Sequence, residues 1–244
     1  MQIVLILLIV SVLILITKRA ELVAAAAKLM WQRGNLEKSL SLFAAADKIG
    51  TLGAGNLMLY GYILFRTGDC DGARTVLTRA SMSAAKPPLK KRIKSMLALV
   101  EWKSGNLDLA IEMLEEVIAD FKTSMIYQDL GLLYILSGDR EKALSFNKEA
   151  YDYNSDDLVI TDNMAEAYAL CGENEKAAEI YERLLEKEPH FPEAYYGYGL
   201  LLIEMGERER GIELIRQSLD KRFSFLSVKT KDEVLSMLKE LENK

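Results

Sequence analysis

The side chains that most often do chemistry are scarce in this chain. There is one histidine, His190, held between Pro189 and Phe191, and there are two cysteines, Cys70 and Cys171, in separate turns. A lone imidazole at a junction of elements fits surface or packing use better than general-base work. Two thiols without metal-ligand spacing are those of a reduced protein, not a zinc site or a disulfide. The adjacent acids Asp156 and Asp157 suit a helix start rather than an acid/base pair. Several glycine turns are present, but none has the GxxxxGK[ST] spacing of a phosphate loop. No catalytic residue, metal ligand or cofactor is therefore assigned. A net charge of −5, from 31 basic and 36 acidic residues, also argues against a nucleic-acid binder. What remains is binding chemistry: large apolar and aromatic side chains, including the two tryptophans Trp31 and Trp102, that could bury a partner segment if neighbouring elements brought them to one surface.

The first such element is a run of another kind. From Ile3 to Ile16 the sequence is IVLILLIVSVLILI, with Ser11 its only polar residue, and Lys18 and Arg19 follow at once. As a helix, residues 1–17 extend about 25 Å, and snorkelling of Lys18 and Arg19 or local bilayer thinning makes up the difference to a hydrocarbon core of about 30 Å. A single transmembrane helix is the expectation, with 1–19 as anchor. The positive-inside rule then places Lys18, Arg19 and the rest of the chain in the cytoplasm. A cleaved signal peptide would carry its charge before the run and a small-x-small site after it, and neither is present. A buried core helix is the remaining alternative, since a run with no polar face must be covered on every side.

Beyond the anchor, six polar turns centred on Gly34, Gly68, Gly105, Gly138, Gly172 and Gly206 recur at spacings of 34, 37, 33, 34 and 34 residues. A fixed period of this length marks an array of stacked supersecondary units. Two amphipathic stretches of about a dozen residues lie between successive turns, so each unit is a pair of antiparallel helices. Seven residues before the glycines stand Ala27, Gly61, Ala98, Gly131, Ala165 and Gly199, and five after them Ser39, Ala73, Ala110, Ala143, Ala177 and Gly211. All twelve are small, as close packing of two helices requires. Nine after the glycines come Phe43, Leu77, Leu114, Asn147, Tyr181 and Ile215; four before them come Met30, Leu64, Glu101, Tyr134, Tyr168 and Leu202. Asn147 and Glu101 depart from an otherwise apolar pattern.

These columns resemble the tetratricopeptide repeat family, whose fold would be an all-α, right-handed solenoid of antiparallel helix pairs, here preceded by the transmembrane helix. The units fall at about 20–53, 54–87, 91–123, 124–157, 158–191 and 192–225. A seam at Lys86, Pro87 and Pro88 separates two hairpins, with proline suited to the first turn of the next helix. Thr230 followed by Glu233 forms a capping-box signature, so 226–244 is expected to be a helix covering the end of the array.

The resemblance implies that ligands meet the first helix of each pair, about ten, six and three residues before the turn glycine. The nearest column holds Trp31, Phe65, Trp102, Ile135, Ala169 and Ile203; the middle one Lys28, Tyr62, Leu99, Leu132, Glu166 and Leu200; the outer one Ala24, Met58, Ser95, Gln128, Asp162 and Tyr196. The candidate groove residues are Trp31, Tyr62, Phe65, Leu99, Trp102, Leu132, Ile135, Tyr196 and Leu200. The basic clamp by which some members hold a partner's carboxyl terminus is missing from these columns. Burial of the aromatic residues by neighbouring helices, or by the terminal helix folded inward, is the alternative use for them.

Charge is uneven as well. From Asp139 to Glu193 there are 15 acids and 6 bases, whereas Lys86 to Lys103 has six bases and one acid. Solvated helix faces account for such runs, and so would attraction of the basic stretch to an anionic leaflet. The chain is thus expected to be a non-enzymatic, membrane-anchored adaptor for a protein or peptide, with its repeats in the cytoplasm. The alternatives are a self-assembling scaffold, or an accessory subunit of a membrane enzyme or envelope-assembly complex.

Overall fold

The computed structural model describes residues 18–243; the apolar run 1–17, where the membrane span is expected, lies outside them. The described residues form thirteen helices and no strand. None of these helices is long and apolar enough to cross a membrane. Helix α1 covers 18–32, and is followed by α2 (Leu36–Ile49), α3 (Ala54–Arg66), α4 (Cys70–Ser83), α5 (Pro87–Lys103), α6 (Leu107–Ile118) and α7 (Ser124–Ser137). The remainder are α8 (Arg140–Tyr153), α9 (Leu158–Leu170), α10 (Asn174–Leu185), α11 (Glu193–Glu204), α12 (Arg208–Ser218) and α13 (Lys231–Glu242). The chain divides into two compact units between Val100 and Glu101, inside α5.

The first twelve helices make six pairs, each joined through one of the periodic glycines. All six glycines have φ between +76° and +94°, the left-handed region that a Cβ penalises. In five of the turns the N–H of the next residue returns to the carbonyl four residues before the glycine, as in Asn106 to Glu101 and Glu173 to Tyr168 at 2.9 and 3.0 Å. This closes the first helix in the Schellman manner. The residue after the glycine opens the second helix: Asn35, Asp69 and Asp139 accept from the N–H of Lys38, Gly72 and Lys142 at 3.1, 2.9 and 3.1 Å. At the Lys86–Pro88 seam α5 begins on Pro87, where no N–H is needed.

Both small columns are buried throughout, with every alanine in them fully buried. A Cβ added to Gly199 would lie 2.6 Å from the carbonyl oxygen of Gly211, so α11 and α12 touch backbone to backbone. The following large column, Phe43, Leu77, Leu114, Asn147, Tyr181 and Ile215, is likewise buried. Asn147 keeps its place there because its amide donates to the carbonyls of Gly131 and Ala143 at 3.2 and 2.9 Å. Glu101 is also buried, and accepts from Asn106 Nδ2 at 2.7 Å across its own turn.

Successive second helices are linked by a recurring contact. Glu115 of α6 accepts from Lys142 of α8 and from the Tyr134 hydroxyl, both at 2.6 Å. Two units on, Glu182 of α10 accepts from Arg210 of α12 at 3.1 Å and from Tyr198 at 3.0 Å. Hydrogen bonds from Lys142 and Tyr134, and from Arg210 and Tyr198, hold the two carboxyls below the ordinary range. Such half-exposed pairs are worth about 0–1 kcal/mol each and fix register more than stability.

The turn and the small columns make separable demands. Gly138→Ala, with open space around its would-be Cβ, should cost about 1 kcal/mol through backbone strain alone. Ala143→Leu at a fully buried site should cost about 1–3 kcal/mol by overpacking. Urea unfolding followed by circular dichroism measures both, and a loss for Ala143→Leu smaller than that for Gly138→Ala would contradict this division.

Candidate functional site

In the unit ending at Val100, α1 and α3 bring two of the expected groove residues together. Trp31 meets Tyr62 edge-to-face with ring centroids 6.1 Å apart. The Arg66 guanidinium lies 5.9 Å from the Tyr62 ring centre and donates to its hydroxyl at 3.1 Å. Trp31, Tyr62 and Leu99 are each half-buried, so they keep accessible surface. Phe65 does not: at 1% exposure it belongs to the core. The expectation that Phe65 offers a free contact face is corrected accordingly. Lys18 and Arg19 are exposed, and Arg19 donates to the Ile49 carbonyl at 3.4 Å, tying the start of α1 to the end of α2.

In the unit from Glu101 onward, Trp102 is half-buried and has the Lys103 ammonium 4.3 Å from its ring centre. Leu132 is half-buried and Leu200 is 36% exposed. Ile135 and Tyr196 are 6% and 7% exposed and correct the same expectation: Ile135 packs inside the array, and Tyr196 sits in a cluster with Ile215, Val234 and Leu238. Accessible surface is thus kept by Tyr62, Leu99, Leu132 and Leu200 of the middle column and by Trp31 and Trp102 of the nearest one. Helix α13 packs here with Val234 and Leu238 inward, and its predicted capping box is formed, Thr230 and Glu233 exchanging backbone-to-side-chain hydrogen bonds at 2.6 and 3.2 Å.

Between α12 and α13 the chain takes an irregular course over 219–230 and lies against the first helices of this unit. Lys103 of α5 donates to the Ser227 carbonyl at 2.7 Å, and Glu193 of α11 accepts the Val228 N–H at 3.1 Å. The Lys229 backbone hydrogen-bonds to the Tyr196 hydroxyl. Arg222 N–H donates to the His190 carbonyl at 2.9 Å, which fixes the beginning of the segment and gives the single histidine its place at a junction. Nothing in the sequence pattern announced this strap, whose longest-range contact joins residues 124 apart.

Beneath it the surface is acidic. Asp162 is 4% exposed, its Oδ1 has no hydrogen-bond partner, and burial together with the charges of Glu166 and Glu193 raises its carboxyl well above the ordinary range. Burial, and then the Glu193 charge, pushes Glu166 up to about 7 against the opposing effect of Lys229. Asp129 on α7 is raised to about 7 by burial alone. The sequence columns contained Asp162 and Glu166 but not Glu193, which lies outside all three. Among the described residues no group of His, Cys, Asp and Glu is placed to hold a metal ion.

Paired helices of constant period, small-residue contacts and left-handed glycine turns make an all-α helical-repeat array. Residues 95–157 and 172–224 each match a family profile described as tetratricopeptide repeat, so these stretches are such repeats. The TPR repeat-containing protein YvcD of Bacillus subtilis (strain 168) is 30% identical over 126 residues, covering 51% of this chain and 25% of YvcD. YpiA, a TPR repeat-containing protein of the same organism, is 25% identical over 190 residues, 75% of this chain and 43% of YpiA. The chain thus spans a quarter to under half the length of these curated relatives.

Solved structures show the same fold. A tetratricopeptide repeat protein from Parabacteroides merdae ATCC 43184 superposes with a TM-score of 0.75 at 14% identity, over 93% of this chain and 85% of that one. YrrB, described as a TPR protein with an unusual peptide-binding site, gives 0.50 at 16% identity, over 76% and 92%.

The raised acids set a direction for stability against pH. From about pH 4 to about pH 7 the folded chain retains protons on Glu166, Asp129 and Asp162 that the unfolded chain has released, so stability falls as pH rises through that window. Glu115 and Glu182 are lowered instead, and their stabilisation is lost only as pH falls below their ordinary value of 4.5. The urea midpoint should therefore be higher near about pH 5 than near about pH 8, and Glu166→Gln should reduce that difference. A midpoint that rises with pH across this interval would refute the assignment.

Proposed function

We propose that this chain is a non-enzymatic adaptor that binds a protein or peptide through the first helices of its repeats, anchored in a membrane by residues 1–17. The observation that carries the binding reading is the accessible surface kept by Tyr62, Leu99, Leu132 and Leu200 of the middle column, together with the half-buried Trp31 and Trp102 of the nearest one. Apolar side chains at regular intervals on the first helices of each unit supply affinity, and the charged residues among them select the partner. The peptide-binding site described for YrrB, on a similar fold, supports the same use of the repeats.

Anchoring rests on the sequence IVLILLIVSVLILI followed by Lys18 and Arg19, which places the repeats on the cytoplasmic side. A tether of this kind concentrates a bound partner at the membrane, so a contact of modest affinity suffices to organise an assembly.

A photo-crosslinking residue substituted for Leu132 in the full chain, in membranes, should capture a discrete protein partner, whereas the same residue in place of the exposed Glu179 on α10 should not. Leu132→Asp combined with Leu200→Asp should abolish the capture while helix content is retained. Crosslinking that is equal at Leu132 and Glu179 would overturn the groove reading.

A further inference from the structure

The strap over 219–230 is held by its backbone. One peptide unit, Ser227–Val228, is gripped on both edges: Lys103 Nζ donates to its carbonyl at 2.7 Å, and Glu193 Oε1 accepts its N–H at 3.1 Å. The neighbouring Lys229 sets its own backbone against the Tyr196 hydroxyl. The two gripping side chains come from the first helices of the third and sixth repeats, so the strap crosses the face that the intervening first helices, α7 and α9, also present. Within the strap, Ser224 and Ser227 bond to one another's backbone, and Phe223 packs beside Tyr196 and Ile215. Contacts to a peptide bond do not read side chains, and any segment of the same backbone course can supply them.

The strap's side chains meet two different surfaces. Phe225 is 36% exposed, 5.6 Å from the Lys103 ammonium at its ring centre. Lys229 lies on the acidic side, where its charge acts on Glu166. Asp162, Glu166 and Glu193 act on one another on this side, and the buried Oδ1 of Asp162 has no hydrogen-bond partner. An acidic, partly desolvated surface with an unfilled acceptor favours a cationic side chain over an apolar or anionic one.

From these contacts we infer that Lys103 and Glu193 form a peptide-bond clamp for a partner segment that turns as 224–227 does and in which a lysine or arginine follows apolar residues, and that residues 223–229 occupy this clamp in cis. The partner and the strap exclude one another, because one clamp holds one peptide unit. Acidic segments are disfavoured once Glu166 ionises, above about pH 7. This rests on the adaptor reading above and adds to it the chemistry of the partner and the state of the site before the partner arrives.

The test uses detergent-solubilised full chain and a fluorescent peptide, KRFSFLSVKTK, copied from residues 221–231. Val228→Pro in the protein removes the N–H that Glu193 accepts and leaves the clamp residues and the Thr230 capping box intact. It should tighten binding of the peptide at least tenfold by anisotropy, and Glu193→Ala added to it should reverse the gain. A peptide in which the residue matching Lys229 is glutamate should bind the Val228→Pro protein at least tenfold more weakly. Helix content measured on the same samples confirms folding, and hydrogen exchange should show faster exchange at 223–229 in the variant. Equal peptide affinity for wild type and Val228→Pro, with exchange at the strap accelerated, would overturn the inference. That result would leave partner capture at Leu132 untouched, whereas loss of that capture with the peptide gain intact would remove the adaptor reading and keep the clamp.

Discussion

Close approach of two helices within each repeat is the constraint from which the rest of the structure follows. Ala98 and Ala110, Gly131 and Ala143, Ala165 and Ala177, and Gly199 and Gly211 are small and buried so that the helices of a pair can approach closely, backbone to backbone at Gly199 and Gly211. A short interhelical distance then obliges the chain to reverse in very few residues, which the left-handed glycine provides. The large column that follows fills the space opened toward the next pair, with Leu114 under one turn and Tyr181 under another. Periodicity, turn geometry and core composition are in this sense one requirement expressed at three positions of each unit.

Where the array ends, that requirement no longer has a following pair to satisfy it. The last pair presents Ile203, Ile212 and Ile215, and α13 covers them with Val234 and Leu238. To reach that position from the end of α12 the chain passes through 219–230, and the course it takes lies over the first helices rather than away from them. An end cap and an occupant of the inner face are thus consecutive parts of one segment. The tuning of Glu166 is a consequence of the same route, since Lys229 acts on it.

Much of the fold was legible because its determinants are local. The six glycines, the small columns, the start of α5 at Pro87 and the Thr230–Glu233 box depend on residues close in sequence, and the helix boundaries follow from them. Asn147 and Glu101 looked like departures from the pattern because a column records a residue's size and polarity, not the carbonyls or amide that satisfy it. The site was less legible. A position three residues before a glycine fixes the angle of a side chain about its helix, but Phe65 and Ile135 are sealed by contacts that this angle does not specify. Lys103 and Glu193 could not be paired from sequence, because their meeting depends on a segment with no periodicity of its own. The anchor stands apart: its signal is the strongest in the chain, and it lies outside the described residues.

The attachment of the strap at both ends has a consequence in concentration terms. Arg222 is fixed to His190 and Thr230 opens α13, so few residues are free between two secured points. A segment so tethered acts as a ligand at an effective concentration on the order of millimolar. A rival at micromolar concentration, making equal contacts, would occupy the site only about one time in a thousand. Exchange at this surface therefore favours partners that are themselves held nearby, and a shared membrane is one means of holding them.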